Sequence, residues 1–490
     1  MNHERTIRSA AAVIAVTTAV IAGCSAGAVP ENGTIDELAR YFDTRIPGLM
    51  ERYDIPGVAL AVVTDGSPEW SNAYGFADLE SRTPMTVDTV CRTESISKSV
   101  TAWGIMTLVE AGRVDLEAPV ETYLGDFELP ETDFDEGAVT VAGLLSQTAG
   151  MPLGTVGPSV EYPPGEVRPS VREYLSNEAR LFREPGAGFH YSNPGFNILH
   201  LLVEEVSGRS FASYMADHVL GPLGMADAGF AWREEYARTM ATGYEADGSP
   251  VAPYVYPAAA SGGLMGTVDD VARFAAAEVS GGASVLSAES VRSLHTSEVE
   301  PSGQYGFVSD GYGFGHFVEV LPSGRTAVWH GGQGHGWMTQ FHAVPETGDA
   351  IVILTNSARS WPFLAAVLGD WARFAGFATV KFARITVATR VLAVVLGLAV
   401  FFVGWEVYRI VSGLRDGSRR FAPFAGEARA RRAGRAVVAV AGIAALTWNL
   451  SLPYSFFPSV FPNLATPAAV TLAAITVVLL FSAATPTEPE

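Results

Sequence analysis

Apolar side chains recur at Leu38, Phe42, Ile46, Leu49 and Met50, the three-and-four spacing that lines one face of a helix over 36–53. Pro47 falls inside that pattern and predicts a kink or a restart there. The period then changes. Residues 57–64 form an unbroken apolar, β-rich run closed by Asp65-Gly66, a strong turn signal, and 70–75 reads as the returning strand. Over 97–274 proline and glycine punctuate a mainly helical and looped stretch. Strand-like runs come back at 312–318, 326–330, 337–344 and 350–355. Strands at both ends of a domain with helices between them predict one sheet built from both termini, with a helical lobe inserted: an α/β (α+β) arrangement over 35–375. No internal repeat interrupts it.

The two ends of the chain follow different rules. Arg5 and Arg8 precede an uncharged run over 10–22, too short to span a bilayer, and the run closes on Ile21-Ala22-Gly23-Cys24. This resembles a lipoprotein-type signal peptide over 1–24 with Cys24 as the lipidated residue, followed by a small-residue tether over 25–34. Residues 376–490 read as a membrane domain with three predicted spans, 391–411, 436–452 and 466–483. The loop 409–435 between the first two holds eight arginines, opposed by Asp416 and Glu427. Such a loop is expected to stay cytoplasmic, which leaves the 35–375 domain outside the cell membrane. Tyr454, Phe456 and Phe457 then fall at the outer interface.

Charge sharpens the division. The chain carries 52 acidic and 32 basic residues, a net of −20, yet from Gly376 onward 11 basic residues face 5 acidic ones. The acidity therefore sits in the middle of the chain, which repels nucleic acid and sets that partner class aside. Lysine occurs only at 98 and 381, so a lysine inside a motif carries weight. Of the two cysteines, Cys24 is assigned to the lipid, and Cys91 reads as a small apolar core residue.

Three short motifs carry chemistry. In Ser95-Ile96-Ser97-Lys98, a helix opening at Ser95 puts Lys98 one turn on, on the same face. A desolvated amine there can accept the serine proton, and the helix N-terminus favours developing negative charge. In Tyr191-Ser192-Asn193, an extended backbone turns Tyr191 and Asn193 to one side, where the phenol can act as a base beside Lys98 and the amide can position it. In His330-Gly331-Gly332-Gln333, at the end of a strand run, two glycines let a substrate approach backbone amides closely. No metal site is expected at His330 and His335, because no third ligand clusters with them.

Taken in order, these motifs resemble the serine β-lactamase and penicillin-binding-protein-like family, in its branch of class C β-lactamases, D-alanyl-D-alanine carboxypeptidases and family VIII esterases. The resemblance covers about 35–357. It runs through Gly75-Phe76-Ala77-Asp78, Leu144-Leu145-Ser146-Gln147-Thr148-Ala149-Gly150-Met151-Pro152, Val206-Ser207-Gly208, Gly221-Pro222-Leu223-Gly224-Met225, Ser261-Gly262-Gly263-Leu264 and Leu354-Thr355-Asn356-Ser357. It implies a serine β-lactamase-like fold, an antiparallel sheet flanked by helices with an inserted helical lobe. It implies Ser95 as acylated nucleophile, Lys98 and Tyr191 as the proton-handling pair, Asn193 as the polar residue of the second motif, and an oxyanion hole from the backbone N–H groups of Ser95 and Gln333. No cofactor is implied; the partners are a small-molecule or peptide ester or amide and membrane lipid, and the oligomeric state is left open. Two departures stand out. His330 replaces the lysine that usually starts the third motif of the lactamases, which favours peptidase or esterase chemistry over an efficient β-lactamase. Any contribution from a His330 cation should fade above about pH 6.5. Gln147 stands where relatives often have histidine.

Overall fold

The computed structural model describes residues 28–423, 429–451 and 456–486; Cys24 and the expected signal peptide lie outside the described residues. The chain divides into two compact units, Ala26–Arg384 and the segment from Ile385 onward. The first outgrows the expected 35–375 because Phe377, Val380 and Phe382 are buried and Asn32 donates its N–H to the Phe374 carbonyl at 3.0 Å.

Helix α1 (Ile35–Tyr53) starts at a reciprocal cap: Thr34 Oγ1 accepts the Glu37 N–H, and the Glu37 carboxylate accepts the Thr34 N–H. Its apolar stripe is buried as the spacing predicts, and the helix does not restart at Pro47. Strands β1 (Gly57–Thr64) and β2 (Ser67–Asp78) form a hairpin. Its turn holds Asp65 and Gly66 both at positive φ, 50° and 76°, the conformation whose twist matches the flanking strands. A short β3 (Thr83–Pro84) adds at the edge. The chain then leaves the sheet for the helical lobe, which contains α2 (Ile96–Glu110) and α3 (Asn193–Ser207). It returns through α4 (Val268–Val279) and α5 (Ala288–His295). The closing strands are β4 (Gly311–Tyr312), β5 (Phe317–Val320), β6 (Thr326–Gly334), β7 (Trp337–Val344) and β8 (Asp349–Thr355), followed by α6 (Trp361–Phe374). The run over 312–318 is thus two strands, because Gly315 at φ 75° breaks it.

These eight strands form one antiparallel sheet in the order β3-β2-β1-β8-β7-β6-β5-β4. The pairing of β1 with β8, Val58 opposite Thr355 through Val63 opposite Ala350, joins the two ends of the domain. Alternate residues of these strands, Ala59, Ala61, Val63 and Ala350, Val352, Leu354, join one core with α2 and α4. Their neighbours on the opposite face, such as Leu60 and Ile353, are equally buried, on the side where α1 and α6 pack. Truncating either to alanine should cost about 2–5 kcal/mol.

The second unit holds α7 (Arg384–Arg415), α8 (Arg429–Ser451) and α9 (Ala465–Ala484). Two helices among the described residues, Lys381–Arg415 and Ala465–Ala484, are long and apolar enough to cross a membrane. They cover the expected spans 391–411 and 466–483, and α8 covers most of 436–452. Val391, Leu398, Phe401 and Trp405 on α7 are exposed. In α8, a Cβ on Gly442 would stand 2.6 Å from Thr476 Oγ1 of α9, so a glycine there lets the two helices approach closely.

Candidate active site

From Cys91 to Met106 every residue is buried except Ser95, which is partly exposed. Ser95 is the N-cap of α2, with φ −66° and ψ −6°, and its hydroxyl makes no capping hydrogen bond. The Oγ is therefore not spent on its own helix. The residue before it, Glu94, adopts a left-handed φ of 50°, a conformation that costs a non-glycine residue roughly 1–2 kcal/mol. Its side chain is held on three sides: Arg92 Nε donates to Oε1 at 2.6 Å, Tyr254 Oη to Oε1 at 2.9 Å, and Tyr256 Oη to Oε2 at 2.9 Å. Arg92 is itself buried, with its guanidinium 4.0 Å from the Tyr254 ring centroid. This cluster fixes the turn that presents Ser95; sequence reading missed it, although the triplet Arg92-Thr93-Glu94 adjoins the motif.

Lys98 is fully buried. Its Nζ lies 3.1 Å from Ser95 Oγ, 2.8 Å from Asn193 Oδ1 and 2.7 Å from the Ser261 carbonyl oxygen. Burial holds the amine well below its ordinary pKa, with the Glu94 charge opposing. A neutral amine has two N–H bonds and one lone pair. The two acceptors, Asn193 Oδ1 and Ser261 O, take the N–H bonds, which leaves the lone pair for the hydroxyl hydrogen of Ser95. Ser97 and Thr101 anchor the same helix: Ser97 Oγ accepts the Leu264 N–H at 2.9 Å, and Thr101 Oγ1 donates to the Ala260 carbonyl at 2.9 Å.

The second motif is only half extended. Ser192 caps α3 by accepting the Gly195 N–H at 3.0 Å, and Asn193 is already the first helical residue, ahead of Pro194. A serine cap with proline in the first turn starts a helix there, so Asn193 reaches Lys98 from a helix N-terminus rather than a strand. Tyr191 lies beside the amine, with Lys98 Nζ 4.8 Å from its ring centroid, and stacks on Tyr305 at 5.4 Å. Gln147, to which no role was given, clasps this motif: Ser192 N–H donates to its Oε1 at 2.7 Å, and its Nε2 donates to the Ser192 carbonyl at 3.2 Å.

The third motif lies on β6. Gly331, Gly332 and Gln333 pair with Gln340, Thr339 and Met338 of β7. Pairing with β5 stops at Trp329, so beyond it that edge of β6 has no strand neighbour. A Cβ on Gly332 would overlap the Thr93 carbonyl oxygen and Thr339 Oγ1; only glycine lets the strand lie against the segment that leads into Ser95. Gln333 Oε1 accepts the Trp361 indole N–H at 2.9 Å. His330 differs from the expectation. It is buried, its Nδ1 lies 2.8 Å from the Gly331 carbonyl, and Tyr312 Oη is 3.4 Å from Nε2. Burial pushes its pKa well below the ordinary value, so the cation expected to fade near pH 6.5 is already disfavoured there. His335 points its two nitrogens at different carboxylates, Glu161 at 2.8 Å and Glu245 at 3.0 Å. Cys91 is buried and its thiol is pushed up to about 12 by desolvation, as a core residue's would be.

The family model named Beta-lactamase matches residues 42–367. The chain belongs to the Beta-lactamase family. Its fold is that family's serine β-lactamase-like fold, and the family is one of serine hydrolases. "Protein flp" of Staphylococcus aureus (strain MW2) is 28% identical over 208 residues, 42% of this chain and 41% of the relative. The "Unguisins hydrolase ungD'" of Aspergillus campestris is 27% identical over 350 residues, 68% of this chain and 64% of the relative. The chain thus spans about two fifths and just under two thirds of these curated relatives. Among solved structures, the octameric penicillin-binding protein homologue from Pyrococcus abyssi is similar at 26% identity with a TM-score of 0.56, covering 68% of this chain and 77% of that one. The Beta-lactamase family match encloses all three motifs.

Proposed function

We propose that this protein is a membrane-anchored, extracytoplasmic serine hydrolase that cleaves an ester or amide through an acyl-enzyme. One observation carries the reading: a buried amine, held well below its ordinary pKa by desolvation and fixed by two acceptors, within hydrogen-bonding distance of a serine hydroxyl that caps nothing. In this mechanism Lys98 takes the Ser95 proton as Oγ attacks the substrate carbonyl carbon. The carbonyl oxygen becomes an oxyanion that accepts hydrogen bonds from the backbone N–H groups of Ser95 and Gln333. Its collapse breaks the bond to the leaving alcohol or amine, which receives the proton through Lys98 and Tyr191. Water, deprotonated by the same pair, then frees the acid and restores Ser95. Asn193 holds Lys98 in place.

The buried, neutral His330 supports a substrate that brings no carboxylate to be paired at the third motif, which ranks D-amino-acid peptidase, amidase or esterase activity above lactam hydrolysis. The relative named Unguisins hydrolase supports hydrolytic chemistry. Cys24 serves as the lipid anchor, the three tail helices span the membrane, and the basic loop 409–435 stays cytoplasmic. Turnover of p-nitrophenyl esters, D-amino-acid amides and a chromogenic lactam by the purified full chain tests the assignment. Catalytic turnover of an ester or amide is expected, with the lactam slowest. Stoichiometric acylation without release would favour the second reading, a penicillin-binding-like membrane sensor, to which the apolar tail helices point because anchoring alone needs fewer.

A further inference from the structure

Away from Ser95, three side chains from separate segments meet at one buried point. Glu278 in α4, His295 at the end of α5 and His316 just before β5 bring a carboxylate oxygen and two ring nitrogens within 4.8 Å of one another. Glu278 and His316 are closed to solvent, and the His295 side chain is 11% exposed. His316 Nε2 lies 2.9 Å from Glu278 Oε1, and His295 Nε2 lies 2.6 Å from Oε2. His316 Nδ1 lies 2.8 Å from the Phe314 carbonyl oxygen, which can only accept, so Nδ1 carries a proton. In a neutral ring Nε2 is then a lone pair, and it faces a carboxylate oxygen that already accepts the Trp103 indole N–H at 2.8 Å. Two acceptors that face each other need a positive species between them.

We propose that Glu278, His295 and His316 bind one divalent transition-metal ion of zinc's class. Two imidazole nitrogens and one carboxylate oxygen form a set that zinc accepts, with a fourth position left for water. The outer shell is already built: His316 gives its other N–H to a backbone carbonyl, and the carboxylate takes the Trp103 N–H, the supports that fix ligand orientation in metal sites. The contacts are those of direct hydrogen bonds. A tetrahedral ion with bonds of about 2.0–2.1 Å sets neighbouring ligand atoms roughly 3.3 Å apart, so both ring nitrogens must draw back from the carboxylate, His295 the further. As the last residue of α5 and the exposed member, it supplies both that movement and the way in. The ion would tie α4, α5 and the start of β5 to Trp103 of α2, the helix that carries Ser95 and Lys98.

The test uses the full chain in detergent, stripped with a chelator and titrated with zinc chloride alone. One zinc retained per chain after desalting is expected, with a higher melting temperature than the stripped protein. His295→Ala changes the least buried ligand, and its circular dichroism establishes that it folds. It should weaken zinc binding by more than the roughly 10–100-fold that loss of an outer-shell partner costs and abolish the melting shift; Glu278→Gln should do the same. Failure of the wild type to retain zinc or shift its melting would overturn the proposal and leave a proton in that place. Equal retention by wild type and His295→Ala would overturn it too, by placing the zinc elsewhere.

Discussion

Replacing Lys98 by methionine keeps a long unbranched side chain in a fully buried slot and removes the amine beside Ser95 Oγ. Two effects of different sign follow. In catalysis, loss of a positioned proton acceptor costs about 10²–10⁴-fold, or about 2.7–5.4 kcal/mol at 1.36 kcal/mol per tenfold. In stability, the lysine is a burden at neutral pH. Burial lowers its folded pKa well below the ordinary value, whereas the unfolded chain protonates it below about pH 10.4. The unfolded state therefore binds the extra proton in that window, and wild-type stability falls as pH drops from about 10.4 to the folded pKa, at about 1.4 kcal/mol per unit. Methionine has no such slope. Against this, the variant leaves Asn193 Oδ1 and the Ser261 carbonyl without their donor, at about 1–3 kcal/mol each. Acylation by an activated ester, followed by release of the chromophore, reads the first effect. Urea melts of both proteins at pH 7, 8 and 9 read the second. The wild type should lose ground to the variant with each step down in pH. Acylation within about tenfold of wild type, or a stability difference independent of pH, would refute the assignment of a neutral Lys98.

Three further outcomes follow from the same geometry. His330→Asn should leave the kcat/KM profile without a lost inflection near pH 6.5, because burial holds the ring's pKa well below its ordinary value; an inflection there that the variant loses would show that it titrates. Gly332→Ala should lower both activity and melting temperature, since its Cβ overlaps the Thr93 carbonyl and Thr339 Oγ1, with overpacking of this kind costing about 1–3 kcal/mol. Arg92→Met strands the Glu94 carboxylate, and breaking one side of a buried pair costs about 3–5 kcal/mol; a melting temperature within a degree of wild type would show that Tyr254 and Tyr256 suffice to hold Glu94.

The elements that position the site were legible where one force dominates. Residues 57–64 read as a strand because an apolar run ends on Asp-Gly, and the strand observed has those bounds. Ser95 and Lys98 on one helical face needed only the helical period. The match weakens where local chemistry competes. The Ser192 cap and Pro194 start α3 one residue early for an extended Asn193, and Gly315 cuts the 312–318 run in two. What could not be read are pairings between distant segments. Gln147 clasps Ser192 from 45 residues away, Glu94 is gripped by Tyr254 and Tyr256 from 160 and 162 residues away, and His330 is buried with Tyr312 against its ring. Each is an interaction of the folded core, and no spacing along the chain encodes it.

Covalent labelling bears most directly on the acyl-enzyme. The full chain treated with a fluorophosphonate should gain the mass of one adduct, digestion should place it on the peptide that contains Ser95, and Ser95→Ala should gain none. An adduct on another residue, or undiminished labelling of Ser95→Ala, would contradict a mechanism built on Ser95.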